Sequence, residues 1–196
     1  MNRFFSHSTV KDLRTSLSKK RFQHCRQVFE TALKIRDAWK EYPVDANALA
    51  WAALFHDCGK ELKKEERAQL MGDGPFLYGQ ELLANAKLSH APLGAKIVAA
   101  RYGIANPDVL QAIAYHPTGH PDLNPIGWIV YAADYLEPGR VFFAERKHVL
   151  DILCVSPLQG LRMVARLRID SVEKKGKEVH PLAKIVEESL LNRDEL

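Results

Sequence analysis

Residues 53–62 read ALFHDCGKEL, and the adjacent His56 and Asp57 decide how the rest of the chain is read. The residues before them are almost wholly apolar. Leu49, Ala52, Ala53 and His56 fall on one face of a helix that Asp45 can cap and that runs to about Cys58, stopping at Gly59. An imidazole and a carboxylate at the end of such a helix are costly to bury unless they are paired or bind a cation. Neighbouring side chains on a regular helix diverge. His56 and Asp57 can converge only if the helix ends or distorts there, and Gly59 signals that it ends.

Outward from this stretch the same design recurs. Residues 19–41 predict a strong helix whose buried stripe is His24, Val28, Ala32, Ile35 and Trp39, ended by Pro43. After the decamer come a short charged helix over 63–71, a loop over 72–79 and a brief helix over 80–88. Pro92 fits the first turn of a helix ending near Gly103. Asn106-Pro107 opens another, with Val109, Ile113 and His116 on one face. Asn124-Pro125 opens a third, aligning Ile126, Val130 and Asp134. Ser156-Pro157 starts a long helix ending at Gly176, and a last helix follows Pro181. Strand-like alternation is scarce, no repeat is visible and the linkers are short. The expected fold is all-α: a single-domain helical bundle over 19–196, with residues 1–18 as an N-terminal extension.

Composition narrows the function without giving it. The 196 residues are 46% hydrophobic and 27% charged, which excludes wholesale disorder. No apolar run is long enough to span a membrane, and residues 1–21 lack the apolar core of a secretory signal. Three cysteines, Cys25, Cys58 and Cys154, cannot all pair within one chain, and no CxxC is present. A reducing cytoplasm is the expected compartment. The net charge of +4 admits nucleic acid as well as a small polyanionic substrate. Nucleic acid is not the expected partner, since aromatic residues are not interleaved with a basic strand pattern. A phosphate-binding glycine loop, an HExxH zinc helix and a serine elbow are all absent from the sequence.

The chemistry therefore rests on polar residues set into apolar faces: His24, His56 with Asp57, and Asp134. Singly, each has a plain explanation. A core histidine is usually just hydrogen-bonded, and Asp134 could pair with Arg140. Jointly, imidazole nitrogen and carboxylate oxygen suit a divalent transition metal with positions left open for water. His90 and His116, also at helix ends, could bind a second metal or a phosphate. Lys60 and Arg140 follow the acidic residues closely and would bring positive charge to a phosphate. His7, His120 and His148 read as surface residues. Cys25 and Cys58 read as small apolar packing. Trp128, Tyr131 and Tyr135 could stack on a base, but their spacing fits core packing as well.

In its order His24, His56-Asp57, Asp134 the chain resembles the HD-domain metal-dependent phosphohydrolases. It resembles most the bacterial YqeK-type symmetrical bis(5'-nucleosyl)-tetraphosphatases, over about residues 19–190. RFQHC (21–25), ALFHDCGKEL (53–62), LSHAPLGA (88–95), AIAYHPTG (112–119), IVYAADYLEPGR (129–140) and KKGKEVHP (174–181) carry the likeness. The resemblance implies iron, or else manganese, cobalt or zinc, as one ion or two, held by His24, His56, Asp57 and Asp134. It implies that Arg21, Lys60, His90, His116 and Arg140 face the nucleotide phosphates or a second metal. Asp57, Lys60, His90 and His116 would carry the catalysis. Gly176, Lys177 and His180 would belong to a loop that closes over the nucleotide. The implied reaction is hydrolysis of diadenosine tetraphosphate to two ADP. Other HD phosphohydrolase activities, and a nucleotide-binding regulatory module with little turnover, are the alternatives; homodimerisation is left open. At Pro117 the chain departs from the family's usual H-T-T-G, and Leu123 stands where methionine is frequent. Pro117 removes a backbone N–H that could have met phosphate.

Overall fold

Helix starts in this chain are set by short polar caps and by proline. A computed structural model describes residues 1, 3–140 and 145–196. In it Ser18 accepts from the Arg21 N–H, Asp45 from Ala48, Asn106 from Asp108 and Asn124 from Gly127. Pro107, Pro125, Pro157 and Pro181 occupy first helical positions, where no intrahelical donor is lost. The resulting helices are α1 (His7–Ser16), α2 (Lys19–Ala38), α3 (Ala46–Phe55), α4 (Lys64–Gly72), α5 (His90–Tyr102), α6 (Pro107–Tyr115), α7 (Pro125–Leu136), α8 (Arg146–Val155), α9 (Pro157–Glu173) and α10 (Pro181–Leu191). The described residues contain no strand, so the all-α bundle expected from the sequence is what the fold is.

Two helices form the centre because their sequences are apolar all round. In α7 every residue but Pro125 and Tyr135 is buried, Asp134 included. In α3 the alanines at 48, 50, 52 and 53 let neighbouring backbones approach closely. α7 packs against α2, α3, α6, α8 and α9, and α3 against α2, α6 and α7. Trp128, Tyr131, Phe55 and Leu49 are among the large side chains wholly inside this core. Trp128 and Tyr131 are thus packing residues, as their spacing allowed. Cys25 and Cys58 are buried and unpaired, again as apolar filling.

Several boundaries differ from the sequence reading. The segment 80–88 makes only one 3₁₀ turn, Gln80–Leu82, followed by turns. Asn85 accepts from the Lys87 N–H, a local turn that competes with continuing a helix. α5 begins at His90, two residues before Pro92, which still lies in the first turn. α3 stops at Phe55 rather than near Cys58, and α2 stops at Ala38. α9 ends at Glu173, and Gly176 turns the chain with φ +62°. Two helices had no expectation, α1 and α8. Phe5, Leu13 and Leu17 from the N-terminal stretch join the same core as the rest of the chain. The α8 carbonyl of Leu153 accepts from the Trp39 indole N–H. No helix among the described residues is long and apolar enough to cross a membrane.

Candidate metal centre

Apart from His24, the site is built by the ends of helices. His24 projects from the buried face of α2. His56 follows the last residue of α3, and 3₁₀-type bonds from Cys58 N–H to Phe55 and from Lys60 N–H to Asp57 tighten the chain there. That tightening turns two adjacent side chains toward one point, with His56 Nε2 3.7 Å from Asp57 Oδ2. His90 opens α5, His116 follows α6, and Asp134 sits in the last turn of α7.

The turn after α3 runs directly beneath α5, which is possible only because residue 59 is glycine. A Cβ there would lie 2.3 Å from the His90 carbonyl oxygen and 2.8 Å from the Gly94 nitrogen. Both are backbone atoms and cannot step aside. Gly59→Ala should therefore push α5 away, costing about 1–3 kcal/mol in stability and moving His90 off the site. Thermal melts and metal content would register both effects. An unchanged melting temperature and full metal content would contradict this.

The donor atoms converge closely. His24 Nε2 lies 3.2 Å from His56 Nε2, 3.2 Å from Asp134 Oδ1 and 3.6 Å from Asp57 Oδ2. On the other side Asp57 Oδ1 lies 3.1 Å from His90 Nε2 and 3.5 Å from His116 Nε2. His90 and His116 Nε2 are 3.3 Å apart. Two overlapping sets of donors, His24/His56/Asp134 and His56/Asp57/His116, share His56. All are buried.

Their protonation suits a cation. His56, His90 and His116 each use Nδ1 to donate to the carbonyl three residues back, at Ala53 (2.8 Å), Lys87 (2.8 Å) and Ile113 (2.9 Å). That contact fixes the tautomer and leaves the Nε2 lone pair facing inward. Burial pushes the His56 imidazole down to about 3 and holds His90 below its ordinary value. Burial opposes charge on Asp57 too, but His56, His116 and His90 hold its carboxyl well below the usual range. Asp134 is held well below it against the same opposition by His24, Arg168 and Arg140. Burial works against a charged His24 as well. Hydrogen bonds to Asp134 and Glu137 overcome it and lift the imidazole to about 9. Buried anions beside the His90 and His116 lone pairs, which face one another at 3.3 Å, and beside the His56 lone pair make a donor set that fits a divalent ion, which would take the place of the His24 Nε2 proton. A purely hydrogen-bonded core would need a proton between His90 and His116.

Cations ring this centre. Arg21 reaches Asp57 at 2.6 Å, Arg140 reaches Asp134 Oδ1 at 2.7 Å, and Lys60 Nζ lies 3.2 Å from the His90 ring. Beside it opens a cavity of about 550 Å³ whose wall includes Pro117, Arg168, Lys87, Lys177 and His180. Contact with the Lys177 ammonium holds Lys87 below its ordinary value. Two ammonium groups set together at a cavity favour an anion between them. Gly176 does not line the cavity. His180 Nδ1 accepts from the Leu182 N–H and so also caps α10. The Pro117 carbonyl accepts from Arg168. His7 and His148 are exposed, and His120 is half-buried against Tyr115.

Two residues at the site were not anticipated. Glu137 Oε1 accepts from His24 Nδ1 at 3.2 Å, one turn beyond Asp134. Arg168, on α9, meets Asp134 Oδ2 at 2.9 Å from 34 positions away, which no local pattern announces.

An all-helical frame that brings ordered His, His-Asp and Asp residues to one buried point defines a class, and a model of the HD domain matches residues 21–139. The chain belongs to the HD domain family. It is similar to the symmetrical bis(5'-nucleosyl)-tetraphosphatase of Halalkalibacterium halodurans, with 40% identity over 64% of this chain and 65% of that protein. For the proteins of the same description in Bacillus subtilis and Staphylococcus aureus the identities are 34% and 33%. Those matches cover 72% and 63% of this chain, and 73% and 62% of those proteins. The chain thus spans about two thirds of these relatives' length. Among solved structures it resembles a Clostridium acetobutylicum protein described as a predicted HD superfamily hydrolase involved in NAD metabolism. The TM-score is 0.84 and the identity 28%, over 97% of this chain and 100% of that one.

Proposed function

We propose that this protein hydrolyses diadenosine tetraphosphate and related dinucleoside polyphosphates symmetrically, giving two ADP, in the cytoplasm. The single observation that carries the reading is the buried convergence of His24, His56, Asp57 and Asp134 beside a largely apolar cavity whose wall includes Lys87, Arg168 and Lys177. The three tetraphosphatase relatives support the choice of substrate.

His24, His56, Asp57 and Asp134 would hold the ion, expected to be iron, with manganese, cobalt or zinc as alternatives. Sharing of His56 between two donor sets admits one ion or two adjacent ones. When bound, the ion supplies an acidified water and a Lewis acid for a phosphoryl oxygen. Arg140 and Lys60 stabilise the charge that develops on the phosphate chain, and Arg21 orients Asp57. His116 belongs with the ion-holding groups, because its Nε2 shares Asp57 Oδ1 with His90. His90 Nε2 faces the same oxygen, and Lys60 beside it would pass a proton to the departing ADP. Lys87, Lys177 and His180 line the space for the nucleotide.

The test is purified protein on diadenosine tetraphosphate, with and without a chelator. ADP as sole product, lost with chelator and restored by a divalent ion, is expected. AMP plus ATP, or turnover indifferent to chelator, would overturn the reading. Tight nucleotide binding without hydrolysis under any divalent ion would make the protein a binding module instead.

A further inference from the structure

We infer that Arg168 is a positioning residue that sets the spacing between the two donor sets of the metal centre, an inference that rests on the reading above. Its guanidinium donates to Asp134 Oδ2 at 2.9 Å, to the Tyr131 carbonyl at 2.6 Å and to the Pro117 carbonyl at 3.1 Å. Asp134 belongs to one donor set. Pro117 directly follows His116, which belongs to the other. One planar cation therefore staples the end of α7 to the turn after α6, and does so from α9, outside the segment that matches the HD model.

Arg168 and Arg140 divide the two oxygens of Asp134 between them, but their surroundings differ. Arg140 contacts Asp134 Oδ1, the oxygen nearest His24, and its side chain is 32% exposed. Arg168 takes the far oxygen, is 14% exposed and sits over the faces of Tyr131 (4.3 Å) and Tyr135 (5.4 Å). A guanidinium fixed by three acceptors and by aromatic stacking keeps Asp134 aimed, while the more exposed Arg140 donates to the near oxygen and to the Asp134 carbonyl at 3.1 Å. Lysine cannot replace it, because one ammonium does not span three acceptors in a plane.

The experiment compares Arg168→Met with the wild type as purified, reading divalent metal by elemental analysis and the chelator concentration that removes half of it. The variant should release its metal at about 10–100-fold lower chelator, the range seen when a group orienting a metal ligand is lost. KM for diadenosine tetraphosphate should stay within about threefold, and excess manganese should restore most of kcat. Arg166→Met, an exposed change on the same helix, should match the wild type. If Arg168→Met does not fold, Arg168→Lys decides, with an intermediate chelator sensitivity expected. Wild-type metal retention with a raised KM would overturn the inference, making Arg168 a substrate contact. Wild-type behaviour throughout would overturn it too. A wild type without divalent metal would bring down the metal-centre reading along with it. Failure of the ADP assay alone, with the metal difference intact, would leave it standing.

Discussion

Asp57→Ala should yield a folded protein whose turnover of diadenosine tetraphosphate falls by more than about 10³-fold, the scale on which a catalytic unit loses one member. Asp57 touches both donor sets, with Oδ2 toward His24 and His56 and Oδ1 toward His90 and His116. His56 also belongs to both sets, but among the described carboxylates Asp57 alone faces all four histidines. Its removal strands Arg21, but that side chain is 30% exposed and can turn into water. Stability should accordingly change little. Asp57→Asn keeps the shape and loses the anion, and should be nearly as inactive with depleted metal. Retained turnover in either variant would remove Asp57 from its assigned role.

Asp134→Ala should fail differently. It too should lose metal and activity, but Arg168 is left with its charge uncompensated and only 14% exposed. Removing one partner of a buried ion pair costs about 3–5 kcal/mol. For a chain of this length that is a fall of roughly 6–15 °C in melting temperature. The comparison belongs in chelator, so that metal loss does not contribute. Asp134→Asn leaves an acceptor for Arg168 and should recover much of the stability but none of the metal. Equal melting temperatures for Asp57→Ala and Asp134→Ala would contradict this account of the Arg168 pairing.

The helices that were legible from the sequence are those with a polar cap, a proline at the first position and an apolar stripe. Asn106-Pro107 and Asn124-Pro125 place the starts of α6 and α7 to the residue. Where one of those signals is missing, the reading falters. The segment 80–88 has the composition of a helix, yet it buries little beyond Leu82, and the Asn85 side chain closes a turn instead. α1 carries no such stripe, because its sequence, HSTVKDLRTS, is largely polar and buries Leu13 alone. The site followed the same rule. His24, His56 and Asp134 stood out as polar residues on apolar faces. Arg168 did not, because an arginine on an amphipathic helix looks solvated until the fold lays it across Asp134. Glu137 sits at the close of α7, where sequence does not say whether a carboxylate turns in toward His24 or out to water.

The central claim is that a divalent ion sits among imidazoles and carboxylates contributed by α2, the turn after α3, and α7. The most direct measurement is an anomalous difference map, collected at the absorption edge of the metal that elemental analysis finds in the purified protein. The account predicts a peak bounded by His24 Nε2, His56 Nε2, Asp57 Oδ2 and Asp134 Oδ1, and its disappearance in crystals of Asp57→Ala. Active crystals with no peak there, or with the metal bound elsewhere, would contradict it.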